Sequence, residues 1–426
     1  MSASPLLAGN VVKQAGPIEQ VHALTGVRII AALWVILFHI RGNIASEFPW
    51  LSRIIGPVLA HGELGVDLFF ALSGYVLALN YGQRMGFSLN KAATVKFWWA
   101  RLARVWPAYV FMLLFAAIWH GLLIARGVPD PVAVRDYGIG SFLRQLTLVV
   151  QWTEPGFERL TWNGAAWSVS AEAFAYLLYP VIAILVFRLN RALSTKSLLA
   201  VTLLTLFPVV FFSYALGLYG EWMWLLRILC AFVAGNLMFF IVSRIPRTDQ
   251  NRTNASHIVL GAAVLIIASC YVLDLTGRTK YVGLLIPLLV VLVGALGIAN
   301  RHVVRLLSAR VMVIGGMASY SIYLVHMPVI EIFWALQGWF PTALGPDTAG
   351  AKLGFVILPF LVCLLGYLLW KFFEEPARRK MRLMSTQNIP ERAVDDPAES
   401  AVLHERSAVH ETAPTAPAEP QHSARH

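Results

Sequence analysis

The chain has 426 residues, of which 58% are hydrophobic and only 13% charged, whereas an ordinary soluble protein carries about 25% charged residues. It therefore reads as a polytopic membrane protein, and its formal net charge of +11 falls between apolar spans, as the positive-inside rule places it, rather than on a nucleic-acid-binding face. Cys230, Cys270 and Cys363 stand singly in apolar stretches, which excludes the paired spacing of zinc or redox sites.

Residues 1–22 are mixed and loop-like, with Pro5, Gly9, Gly16 and Pro17, and read as a short cytoplasmic tail. The first span, Leu24 to Ile40, is LTGVRIIAALWVILFHI. It is span-length and lacks a convincing small-residue cleavage site after it, so it is expected to stay as a helix rather than be removed as a signal peptide. Further spans are expected at 62–82, 104–124, 163–187, 198–217, 222–243, 256–275, 281–299, 311–335 and 350–371, giving about ten helices in an all-α transmembrane domain over 23–382. With the N-terminus inside, alternate loops collect Lys91, Lys96, Arg101 and Arg104, then Arg188, Arg191 and Lys196, then Arg244, Arg247 and Arg252, then Arg301, Arg305 and Arg310. The tally is about twenty Lys/Arg inside against about eight outside, which puts both termini in the cytoplasm of a multi-pass inner or plasma membrane protein. Phe142 to Trp152 is apolar but too short to cross, so it is expected to lie at the interface or re-enter. Residues 383–426, with PERAVDDPAES and APTAPAEPQ, cannot form a core and are expected to be a disordered cytoplasmic tail.

Ionisable residues inside these spans are the candidates for chemistry, because hydrocarbon tolerates them poorly. Arg28 and His39 share the first span and are about 16 Å apart along its axis, half the thickness of the hydrocarbon core. Asp67, Glu172 and His326 lie on other spans at depths that can approach His39. A carboxylate beside an imidazole fixes its tautomer and raises its basicity, as a general base for a hydroxyl requires. Asp67 is the first expected partner of His39 and Glu172 the second. On KFWWARLARVWP, Arg101 and Arg104 share one helical face and can grip a phosphate together, with Pro107 near the start of the next helix. The same pair also fits a plain positive-inside anchor with interfacial tryptophans, and spacing does not choose. No helical pair of histidines stands at metal-ligand spacing, so no metal is expected.

The first-span Arg and His, GVDLFFALSGY, the Arg101 and Arg104 pair, WSVSAEAFAYLLYP, SYSIYLVHMP and FEEPARR occur in this order from about residue 22 to 382. Together they resemble the acyltransferase 3 family of integral membrane O-acyltransferases. The resemblance implies cytoplasmic acyl-CoA as co-substrate, with no permanently bound cofactor. It further implies transfer of a short acyl group, acetyl or succinyl, to a hydroxyl of an envelope saccharide or glycolipid. Carried over by position, His39 is the family's first-span histidine, Arg28 its motif arginine, and Arg101 with Arg104 the arginine pair. His39 could activate the acceptor hydroxyl as a base or be acylated itself. Asn163, Ser168, Ser170 and Tyr323 are candidate oxyanion donors, with His326 beside them as a possible acceptor-site residue. A metabolite acceptor of macrolide type fits these residues equally well. A proton-coupled glycolipid transporter would also use buried His, Asp and Glu.

Overall fold

The computed structural model describes residues 18–128, 136–157, 162–299 and 301–386. Most of the expected N-terminal tail and nearly all of the expected C-terminal tail lie outside the described residues. Helix α1 (Ile18–His39) leads into two short helices, α2 (Arg41–Glu47) and α3 (Pro49–Leu59), and then α4 (Leu64–Met85) and α5 (Lys91–Ala125). Short α6 (Ile139–Leu146) precedes α7 (Ala166–Ala192), α8 (Thr195–Leu216), α9 (Met223–Ser243) and α10 (Asp249–Leu275). A tight 3-10 stretch, Thr279–Leu285, runs into α11 (Ile286–Leu296), followed by α12 (Arg301–Leu307), α13 (Arg310–Trp339), α14 (Pro341–Leu344) and α15 (Ala349–Leu369). A π turn, Trp370–Glu374, joins α15 to α16 (Glu375–Thr386). Among the described residues there is no strand, and 10 helical stretches are long and apolar enough to cross a membrane.

Local chemistry fixes the ends of several spans. The side chains of Asn90, Ser194, Thr248 and Thr348 each accept a hydrogen bond from a backbone N–H in the first turn of α5, α8, α10 and α15, satisfying donors that a helix start leaves orphaned. Pro107 does not begin a new helix: it lies inside α5, which runs unbroken for 35 residues. Prolines persist in membrane helices where neighbours take up the freed backbone groups. At 1.5 Å per residue α5 is about 50 Å long, and Arg101 and Arg104, about three to four turns in, lie against Tyr81 of α4 and Glu374 of the π turn. The apolar piece after α6 turns back into the bundle: Gln151 N and Trp152 Nε1 both donate to Ser170, at 3.1 and 2.9 Å.

Helix α1 is wedged between α4 and α13. Both neighbours approach its backbone through glycine, a small residue that lets membrane helices close together. A Cβ on Gly65 of α4 would fall 2.6 Å from the Ala31 carbonyl oxygen, and one on Gly316 of α13 would fall 1.9 Å from that of Thr25. These two contacts fix the rotation of α1, and with it the directions in which Arg28 and His39 point.

Candidate active site

The imidazole of His39 closes the last turn of α1. Its Nδ1 is 2.8 Å from the Val35 carbonyl oxygen, so Nδ1 carries the proton and Nε2 presents its lone pair. Across from it on α13, His326 repeats the arrangement: Nδ1 bonds the Tyr323 carbonyl, and the buried Nε2 has no protein partner. The two rings meet edge to face with centroids 4.9 Å apart. The Tyr323 ring lies 5.1 Å from that of His326, and its hydroxyl is 2.6 Å from Ser168 Oγ on α7. Because Ser168 also donates to the Ala165 carbonyl, Tyr323 is the donor within the pair.

Toward the other end of α1 the site becomes cationic. Arg28 Nε donates to Ser319 Oγ at 3.2 Å, and its guanidinium lies 5.4 Å from the centre of the Phe69 ring. The charges of Arg104, Glu172 and Glu374 all reach it. Arg104 is ion-paired with Glu374 of the π turn, and Glu374, fully enclosed, also accepts from Ser321 Oγ at 2.6 Å. Arg101 donates to Tyr81 OH at 3.2 Å, with its guanidinium 5.3 Å from that ring. The two arginines thus share a face of α5 as expected, but each is held by a different protein group. Glu374 offsets part of the positive charge that the spacing alone suggests.

Neither carboxylate expected beside His39 is there. Asp67 lies two residues past Gly65, which is turned toward α1, and two residues are about 200° of helical rotation; Asp67 therefore points away, into α9. Its oxygens accept from Arg227 Nε at 2.9 Å and Nη2 at 2.8 Å, and both side chains are 0% exposed. Glu172 accepts from Tyr176 OH at 2.6 Å and lies in the neighbourhood of Arg28, not of His39. Two of the expected oxyanion donors are structural staples. Asn163 donates to the Leu324 carbonyl at 3.1 Å and accepts from Ala165 N, while Ser170 accepts from Gln151 N. Of that set, Tyr323 adjoins His326, and Ser168 is linked to it through the Tyr323 hydroxyl.

Sequence reasoning missed Arg227, Glu374 and a second buried pair, in which His120 Nε2 is 3.3 Å from Glu331 Oε2 and His120 Nδ1 is 2.9 Å from Tyr137 OH. Of the side-chain charges that reach His39, Arg41 and Glu331 act in opposite senses, and Asp67 is not among them. Each missed residue is an ionisable residue in an apolar helix, which was the available signal.

A family model described as an acyltransferase domain matches residues 21–371, a stretch that includes the site residues other than Glu374. The chain belongs to the acyltransferase 3 family. Relatives within reach of sequence comparison include "O-acetyltransferase OatA" of Staphylococcus aureus, 24% identical over 376 residues that cover 84% of this chain and 57% of that protein. "Acyltransferase MdmB" of Streptomyces mycarofaciens is 28% identical over 180 residues, 41% of each chain. "Protein 2 in picA locus" of Rhizobium radiobacter is 36% identical over 180 residues, 38% of this chain and 82% of that protein. The chain thus spans about half the length of the first two relatives. No solved structure matches this family member significantly.

Proposed function

We propose that this protein is a membrane O-acyltransferase that moves a short acyl group, acetyl or succinyl, from cytoplasmic acyl-CoA to a hydroxyl of an envelope saccharide or glycolipid. The observation that carries the reading is the division of labour along α1: a cationic cluster at the Arg28 end and a histidine with an open Nε2 at the other. Such a layout suits a long donor with a phosphorylated head and a reactive tail. The CoA phosphates would dock against Arg101 and Arg104 in the N-terminal half of α5, with Arg28 further in, since guanidinium groups are suited to phosphate oxygens. The pantetheine arm would run along α1 past Phe69 and Tyr323 toward His39.

At that end His39 Nε2 takes the acceptor's hydroxyl proton as the oxygen attacks the thioester carbonyl. The C–O bond forms, the C–S bond breaks, and the proton passes from His39 to the departing CoA thiolate. The Tyr323 hydroxyl, which donates to Ser168 in the resting site, would have to turn from Ser168 to donate to the developing oxyanion. The test is His39→Ala at matched expression. The reading expects transfer of radiolabelled acetyl from acetyl-CoA to fall by at least about 100-fold, the scale of general-base catalysis, while the protein remains inserted and stabilised by CoA. Unchanged transfer would remove His39 from the chemistry.

A further inference from the structure

Beyond the reacting pair, the His39 end of α1 adjoins a second cluster of buried polar atoms, between the last turn of α3 and the start of α9. Arg227 uses Nε and Nη2 on Asp67, and Nη2 also on the Glu63 carbonyl at 3.2 Å, but its Nη1 has no protein partner. Glu63 Oε1 stands 4.0 Å from His61 Nδ1, while Glu63 Oε2 and both ring nitrogens of His61 form no hydrogen bond. These residues are enclosed: Arg227 is 0%, His61 1% and Glu63 9% exposed. Buried polar atoms in proteins are nearly always matched, so four unmatched atoms on three adjoining residues point to a group that enters and satisfies them.

We infer that His61, Glu63 and Arg227 bind the ring hydroxyls of the acceptor; this rests on the transferase reading and names the acceptor class as a sugar. Arg227 Nη1 only donates, Glu63 Oε2 accepts, and an imidazole does both. An anion would meet Glu63, and a cation would meet Arg227. Neighbouring hydroxyls on a sugar ring, each donor and acceptor at once, complement all three. An aromatic wall stands beside the cluster: Trp167 lies 5.3 Å under the Arg227 guanidinium, Phe157 packs between Trp167 and Tyr219, and Tyr219 is 50% exposed at the rim. Rings of this kind offer an apolar face with polar edges, which suits the C–H face of a pyranose. The cluster is also close to the chemistry. Arg41, two residues beyond His39 and exposed, acts electrostatically on His39, His61, Glu63 and Tyr219 together, and Trp34 Nε1 ties α1 to the Val58 carbonyl just before His61.

The experiment uses the full-length protein in lipid nanodiscs, read by thermal stability with CoA or with methyl glycosides of glucose, galactose and N-acetylglucosamine. The wild type should be stabilised by at least one glycoside. Glu63→Gln and His61→Ala should weaken its apparent affinity by tenfold or more while keeping the CoA shift, which also shows that they fold. Tyr219→Ala, at the exposed rim, gives a second test that leaves the buried cluster intact, and it should weaken the same glycoside severalfold. Absence of glycoside stabilisation in the wild type, or equal glycoside affinity in all variants, would overturn the assignment. Loss of the CoA shift in the wild type would instead overturn the donor reading and leave the glycoside result to stand separately.

Discussion

Replacing Asp67 should unfold the protein more readily, because its partner is the buried guanidinium of Arg227 and not the His39 imidazole. In the Asp67→Ala variant the guanidinium of Arg227 stays fully enclosed and keeps only the Glu63 carbonyl at 3.2 Å and the Trp167 ring at 5.3 Å. Breaking a buried ion pair on one side costs about 3–5 kcal/mol, because the remaining charge is uncompensated. Asp67→Asn keeps the shape and loses the charge, so its cost is about 1.5–3 kcal/mol, the scale of hydrogen bonds to a charged group. The double variant Asp67→Leu, Arg227→Met removes both charges and fills the space with apolar atoms, and it should lie near wild type or up to about 4 kcal/mol above it. Equilibrium unfolding by SDS in mixed micelles measures all three. The single and double effects should fail to add, with the double variant more stable than Asp67→Ala. Wild-type stability in Asp67→Ala, together with lost acyl transfer, would refute the ion-pair account and return Asp67 to the catalytic group.

Glu374→Gln should remove the Arg104–Glu374 ion pair and with it the negative charge that offsets the arginine. The expected result is a several-fold change in the apparent affinity for CoA with turnover at saturating donor kept within about threefold, about 0.65 kcal/mol, measured by initial rates over a range of acetyl-CoA. Gly316→Ala would place a methyl group 1.9 Å from the Thr25 carbonyl oxygen, so α13 must shift off α1 and carry Ser319 away from Arg28. Both the thermal midpoint and the rate should fall, whereas an unaltered enzyme would mean that this close approach does not position Arg28.

The span count was legible because run length and apolarity decide crossing before any packing is known. Arg28, His39 and His326 were legible for a related reason: an ionisable group in an apolar helix stands out one residue at a time. What the sequence could not convey was which way each one faces. Gly62 packs on Phe38 and Gly65 on Ala31, so α4 runs down α1 away from His39, and Asp67 lies below the level of the imidazole and turns toward Arg227 on α9. The same non-locality hid Glu374, which meets Arg104 across 270 positions of sequence. Ser168 and Ser170 are two residues apart on α7, so they point to different sides; one meets Tyr323 and the other holds the loop at Gln151.

The most direct measurement of the central claim is thermal stability of the purified protein with and without CoA, set beside an Arg101→Ala, Arg104→Ala double variant. A ligand that binds only the folded state at a hundred times its Kd stabilises it by about 2.7 kcal/mol. A donor site at Arg101 and Arg104 of α5 therefore predicts a clear upward shift in the wild type that disappears in the double variant. No shift in the wild type at millimolar CoA would contradict the acyl-CoA reading and favour a proton-coupled transporter built from the same buried histidines and carboxylates.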